Sequence, residues 1–231
     1  MSGKLDMTAM YAAHDALRRE LELLARTAAR ADDDPRRILG TAVGWELFKK
    51  VLHVHHTAED DALWPAMREA AAGRPDDLAL LAAMEAEHEA IDPLIDAIDA
   101  ALADRDFGPQ RLGDLTDALV AGLTEHLRHE EDEALPLVQS IVTEPQWLHF
   151  GQVNARLAGP DASRILPWML DGASERAIAT MLAPLPEPAR RAYLDEWQPA
   201  YAALDLWAAG TTGSQTAYSP PQADTPTRTP L

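Results

Sequence analysis

His55-His56-Thr57-Ala58-Glu59-Asp60-Asp61-Ala62-Leu63-Trp64-Pro65 has a second copy, His126-Leu127-Arg128-His129-Glu130-Glu131-Asp132-Glu133-Ala134-Leu135-Pro136. In both, a Glu follows the His by four residues and a Pro follows the Glu by six. Residues four apart share one face of a helix, a turn apart. Each copy therefore presents an imidazole and a carboxylate to the same point, and two such helices facing each other can clamp metal between them.

Working outward, four long amphipathic segments precede residue 144. They run from about Leu5 to Ala31, Arg36 to Ala72, Asp76 to Ala103, and from after Gly108-Pro109 to Val142, with breaks rich in Gly, Pro and Asp. Leu and Ala dominate, Phe and Tyr are scarce, and few stretches alternate with a period of two. Short connections between long helices imply antiparallel neighbours. The expected fold is all-α: an antiparallel up-down four-helix bundle over 1–143, with a C-terminal extension of short helices. Pro65 and Pro136 are expected to bend their helices below the site, and Pro93 to kink or end its own.

Residues 144–210 are expected to form short, Pro-rich helices packed on the bundle. They carry Trp147, Trp168, Trp197 and Trp207, which either pack inward or offer a protein partner a surface, packing being the ordinary fate. Residues 211–231, rich in Thr, Pro, Ser and Gln, are expected to be a disordered tail.

The 231 residues carry a formal net charge of −18, 38 acidic against 20 basic. Such a surface repels phosphate backbones and anionic lipid, so neither nucleic acid nor membrane is an expected partner. With no cysteine, thiolate clusters, zinc fingers and Cys nucleophiles are excluded, and any metal must be held by nitrogen and oxygen. Neither a leader nor a spanning run is recognisable, and the expected location is cytoplasmic.

Three His-x-x-x-Glu pairs occur: His55/Glu59, His126/Glu130 and His129/Glu133. Helical stripes select among them. Phe48, Leu52, His55, Glu59, Ala62 and Ala66 share one face, with His56 and Asp60 at its flank and His53 opposite. Leu119, Leu123, His126, Glu130, Leu137 and Ile141 share another, with His129 at the edge. On the remaining two helices, His14 aligns with Met7, Met10, Leu17 and Leu21, and His88 with Leu81, Met84, Ile91 and Ile95. A lone core histidine is ordinarily hydrogen-bonded core, and a lone His-x-x-x-Glu is ordinarily a surface pair, the expectation for His129/Glu133. His149 lies outside the bundle. Four imidazoles and two carboxylates at one level are different. A buried ionised Glu is costly unless paired or metal-bound. Six N/O groups exceed one tetrahedral zinc and suit two first-row ions, iron foremost.

This arrangement resembles the hemerythrin-like (HHE cation-binding) family over about residues 5–143, through His14, His55-x-x-x-Glu59, His88 and His126-x-x-x-Glu130. The ferritin-like alternative requires two Glu-x-x-His motifs, and only Glu85-Ala86-Glu87-His88 is present. The resemblance implies a non-haem centre of two iron ions with His14, His55, Glu59, His88, His126 and Glu130 as ligands, the two Glu bridging. It departs from oxygen-carrying hemerythrins on the third helix, where their His-x-x-x-His is here His88-x-x-x-Asp92. Asp92 either binds iron or orients an imidazole. Tyr11 and His56 are further candidates near the site.

The implied function is binding or turnover of a small diatomic ligand or peroxide (oxygen, nitric oxide or hydrogen peroxide). No pocket for a large substrate is evident in the sequence. Alternatives are a di-iron oxygenase acting on an organic substrate beneath the C-terminal extension, and a redox- or oxygen-sensing module read by a partner there.

Overall fold

The computed structural model describes residues 4–29, 38–40, 42–104 and 108–207. The expected disordered tail, 211–231, lies outside them. The described residues form helices and turns, without strands. Helix α1 is Thr8–Ala28. Helix α2 begins as Val43–Ala58, widens into a π-turn at Glu59–Leu63 and resumes as Trp64–Ala70. Helix α3 is Pro75–Ala103. Helix α4 is Gly108–His129, a π-turn at Glu130–Ala134, then Leu135–Ile141. Pro93 neither ends nor interrupts α3, contrary to one expectation from sequence.

Two apolar clusters hold these helices together. One contains Leu17, Leu21, Phe48, Leu52, Ile91, Ile98, Leu119 and Leu123. The other contains Met7, Met10, Trp64, Met67, Leu81, Met84, Leu135 and Val138. Each helix runs from one cluster to the other. α1 and α3 begin in the Met-rich cluster, whereas α2 and α4 begin in the Leu-rich one. α3 packs most extensively on α4, α1 packs on both α2 and α4, and α2 also meets α3. Between the clusters, each helix contributes polar residues to one layer, where the hydrophobic stripe is broken by His or Glu.

Helix α5, Glu144–Ala158, starts from a Thr143/Gln146 capping box. A short turn leads to α6, Ala162–Leu170, then α7, Glu175–Leu182. Helix α8 runs Glu187–Ala192, widens at Tyr193–Trp197 and ends with Gln198–Ala202. α5 lies against α2, and α6 and α7 lie against α1. Trp168 is fully buried in the Leu-rich cluster, and Trp207, Trp147 and Trp197 are partly buried against apolar neighbours. Among the described residues no helix is long and apolar enough to cross a membrane.

Candidate metal centre

The spacing from Glu to Pro in the repeat has a structural reason. Pro65 and Pro136 lack the N–H that an α-helix needs from them. The turn before each proline is wider by one residue. Trp64 N–H bonds to the carbonyl of Glu59, and Leu135 N–H to that of Glu130, five residues back in each case. Both motif glutamates thus open a π-turn that the proline closes. Such turns re-aim side chains and concentrate at functional sites.

His14, His55, Glu59, His88, His126 and Glu130 are all buried, and the structure brings them into one layer. They form two adjoining groups. His14, His55, Glu59 and Glu130 place ligand atoms within 4.8 Å of one another, as do His56, His88 and His126. Glu59 faces both, with Oε1 3.5 Å from His55 Nε2 and Oε2 3.6 Å from His88 Nε2. Glu130 Oε2 lies 3.1 Å from His14 Nε2.

Sequence reasoning placed His56 at the flank of its stripe, but the structure buries it in the second group. The layer spans the middle of the bundle, so a residue 100° around the helix from His55 still faces inward. One signal was present: the aligned position in the second copy is Leu127, an apolar residue that is fully buried. Asp92 is not in either group. It is half exposed, and its Oδ1 lies 3.1 Å from His56 Nδ1. Of its two expected roles, the geometry shows the orienting one. Tyr11 is 44% exposed and stands outside both groups. His129 is partly exposed, with Glu133 at 3.8 Å, while His53 and His149 are exposed.

Carboxylates clamp the outer nitrogens of four imidazoles. His14 Nδ1 meets Glu131 at 2.7 Å, and Arg18 meets the same oxygen at 2.8 Å. His88 Nδ1 meets Asp60 at 3.0 Å and His126 Nδ1 meets Glu87 at 2.8 Å. His56 completes the set through Asp92. Asp60 and Glu131 directly follow the motif glutamates, so the second acid of each repeat was a legible signal that the sequence reading left unused. A carboxylate at Nδ1 holds the proton there and turns the Nε2 lone pair inward, the usual arrangement behind a metal-binding histidine.

The layer is electrostatically incomplete by itself. His88 and His126 bring their Nε2 atoms within 3.2 Å, and His14 and His55 within 3.1 Å. Both oxygens of Glu59, both of Glu130 and Nε2 of His56 are buried without an aligned hydrogen-bond partner. Each such group costs about 1–3 kcal/mol or more if it stays unpaired. Burial and the neighbouring Glu130 charge push Glu59 well above the usual carboxylate range. Glu130 moves the other way: burial opposes its charge, but His14, His55 and His126 outweigh it. Burial also opposes charge on His14, yet Glu130 and Glu131 raise it to about 9. Burial lowers His56 to about 4 and His55 well below its ordinary value. Inward imidazoles, neutral at His55 and His56, beside carboxylates without aligned hydrogen-bond partners form a donor set that fits divalent or trivalent first-row cations.

The family model of the hemerythrin HHE cation binding domain matches residues 6–138. No curated protein and no solved structure matches the chain.

Proposed function

This chain belongs to the hemerythrin HHE cation-binding domain family, and from that membership we propose a non-haem di-iron protein that binds or turns over oxygen, nitric oxide or peroxide. The observation that carries this reading is the buried layer in which Glu59 and Glu130 have no aligned hydrogen-bond partners while imidazole nitrogens surround them. His14, His55, Glu59, His88, His126 and Glu130 would hold the ions, joined by His56, with Glu59 positioned to serve both. Iron bound there supplies Lewis acidity and electron transfer. The protein's own contribution is orientation and exclusion of water. Glu131, Asp60, Glu87 and Asp92 fix the imidazole tautomers, and the two apolar clusters seal the layer from either side.

The four helices that carry these residues are read as an antiparallel up-down bundle over residues 1–143. The alternating order in which they meet the two apolar clusters supports this. Residues 144–210 are read as an extension on that bundle, supported by Phe150, Val153, Ile165 and Trp168 in its core. A sensing role would need a partner on the extension, and the burial of Trp168 gives it little support. A di-iron oxygenase for an organic substrate is the second reading, because an apolar cavity reaches His55.

The test is a spectral titration of the iron-loaded chain with oxygen, nitric oxide and peroxide under anaerobic control. A saturable change in the visible bands with at least one of the three is expected. An iron-loaded chain whose bands respond to none of them would remove the small-ligand reading.

A further inference from the structure

Five imidazoles line the metal layer, and His55 differs from the other four. Its Nδ1 meets no carboxylate among the described residues. It is also the one imidazole of the five that lines a cavity of about 390 Å3 between α1 and the helices α5, α6 and α7. Trp147, Phe150, Leu166, Met169, Met181 and Leu185 make the apolar wall. All six lie beyond residue 138, where the family match ends. The cavity is therefore a feature that the extension adds to the bundle.

We propose that this cavity is a binding site for a small, uncharged, mostly apolar organic molecule, of the size of a single aromatic ring, held against His55. Its volume falls at the lower end of the range for ligand sites, about 300–1,000 Å3. Its polar groups are few and neutral: Thr8, Asn154 and Thr180. The one acidic residue in the wall, Asp6, is exposed, and its carboxylate already accepts from Thr8 N–H at 2.9 Å. Neither Lys nor Arg lines the cavity, so an anion finds no counter-charge. Met10, Met169 and Met181 give the wall an adaptable surface that adjusts to flat rings. His55, 3% exposed, supplies a polar contact at the end nearest the metal layer. The site needs no metal to bind its occupant, so it stands or falls separately from the di-iron reading.

The probe is 4-fluorophenol, titrated into the full chain in metal-free and iron-loaded forms and followed by fluorine NMR. One-to-one binding with a Kd below about 1 mM is expected in both forms. Two variants narrow the cavity from its wall: Ala155→Trp, at an exposed position on α5, and Thr180→Trp on α7. Each folded variant, checked by circular dichroism and by unchanged iron content, is expected to bind about tenfold more weakly or worse. The anion 4-fluorobenzoate is expected to bind more weakly than the phenol by a similar factor. Absence of saturable binding, wild-type affinity in both variants, or equal affinity for the benzoate would overturn the proposal. Iron content is read in parallel, so a chain that fails to load iron yet binds the phenol counts against the di-iron reading alone.

Discussion

Asp92 of α3 holds His56 of α2, Oδ1 to Nδ1 at 3.1 Å. Hydrogen bonding to the imidazole lowers the Asp92 carboxyl below its ordinary value, so it stays ionised and fixes the proton on Nδ1. The acid four residues after His88 thus acts through an imidazole from a different helix. Asp92→Asn should weaken metal affinity by about 10–100-fold, the usual cost of losing such a partner. His56→Ala should weaken it further and leave the His88/His126 side underfilled. Competition titration against a chelator measures both. Wild-type affinity in Asp92→Asn would make Asp92 a bystander.

Glu59 is fully buried with both oxygens unpartnered. Without metal it is a burden on the fold, and a leucine of similar size removes the burden. Metal-free Glu59→Leu should therefore be more stable than metal-free wild type by about 1–3 kcal/mol in urea denaturation. Iron should stabilise wild type and leave the variant unchanged. A variant less stable than wild type in the absence of metal would show that Glu59 has partners of its own.

The last described residues close over α1 and α2. Trp207 Nε1–H donates to Glu20 Oε2 at 2.7 Å, and Gly44 N–H donates to the Leu206 carbonyl at 2.8 Å. A Cβ on Gly44 would lie 2.6 Å from Trp207 Cε2 and 3.0 Å from the Leu206 oxygen. Gly44→Ala should displace Trp207 and destabilise the chain by about 1–3 kcal/mol, as overpacking does. Urea unfolding gives the loss, and a red shift in tryptophan emission reports the exposed ring.

Glu20 gives a pH dependence away from the metal layer. Its side chain is fully buried, and burial raises its pKa despite Arg19 and the Trp207 indole, which favour the charged form. An acid with a raised folded-state pKa contributes stability that is complete below its unfolded value and is lost as pH rises through the folded value. Wild type should therefore lose stability relative to Glu20→Gln as pH rises from about 4.5 towards neutrality. Parallel urea denaturation of both proteins at several pH values measures the difference. A gap that is constant with pH would contradict the raised pKa.

Much of the layer was legible because helical periodicity is a strong signal. The stripes through Leu17, Leu52, Leu123 and Ile91 point His14, His55, His126 and His88 the same way, and the chain folds them together. His56 was legible only as a further candidate, because one residue is a 100° step, and only packing decides whether that step reaches solvent or the far side of the layer. The Glu-to-Pro spacing was visible, but its meaning as a widened turn depends on backbone hydrogen bonds. A pocket beneath the extension was one alternative the sequence raised, but its place at His55 was not readable. Its walls come from α1, α2 and three helices of the extension, and nothing in local pattern encodes how those dock.

The measurement that bears most directly on the di-iron reading is iron content after anaerobic reconstitution and removal of loosely bound metal, for wild type beside Glu59→Leu and Glu130→Leu. Two irons per wild-type chain are predicted, with a clear loss in both variants. Wild type without retained iron, or variants that retain as much as wild type, would contradict it.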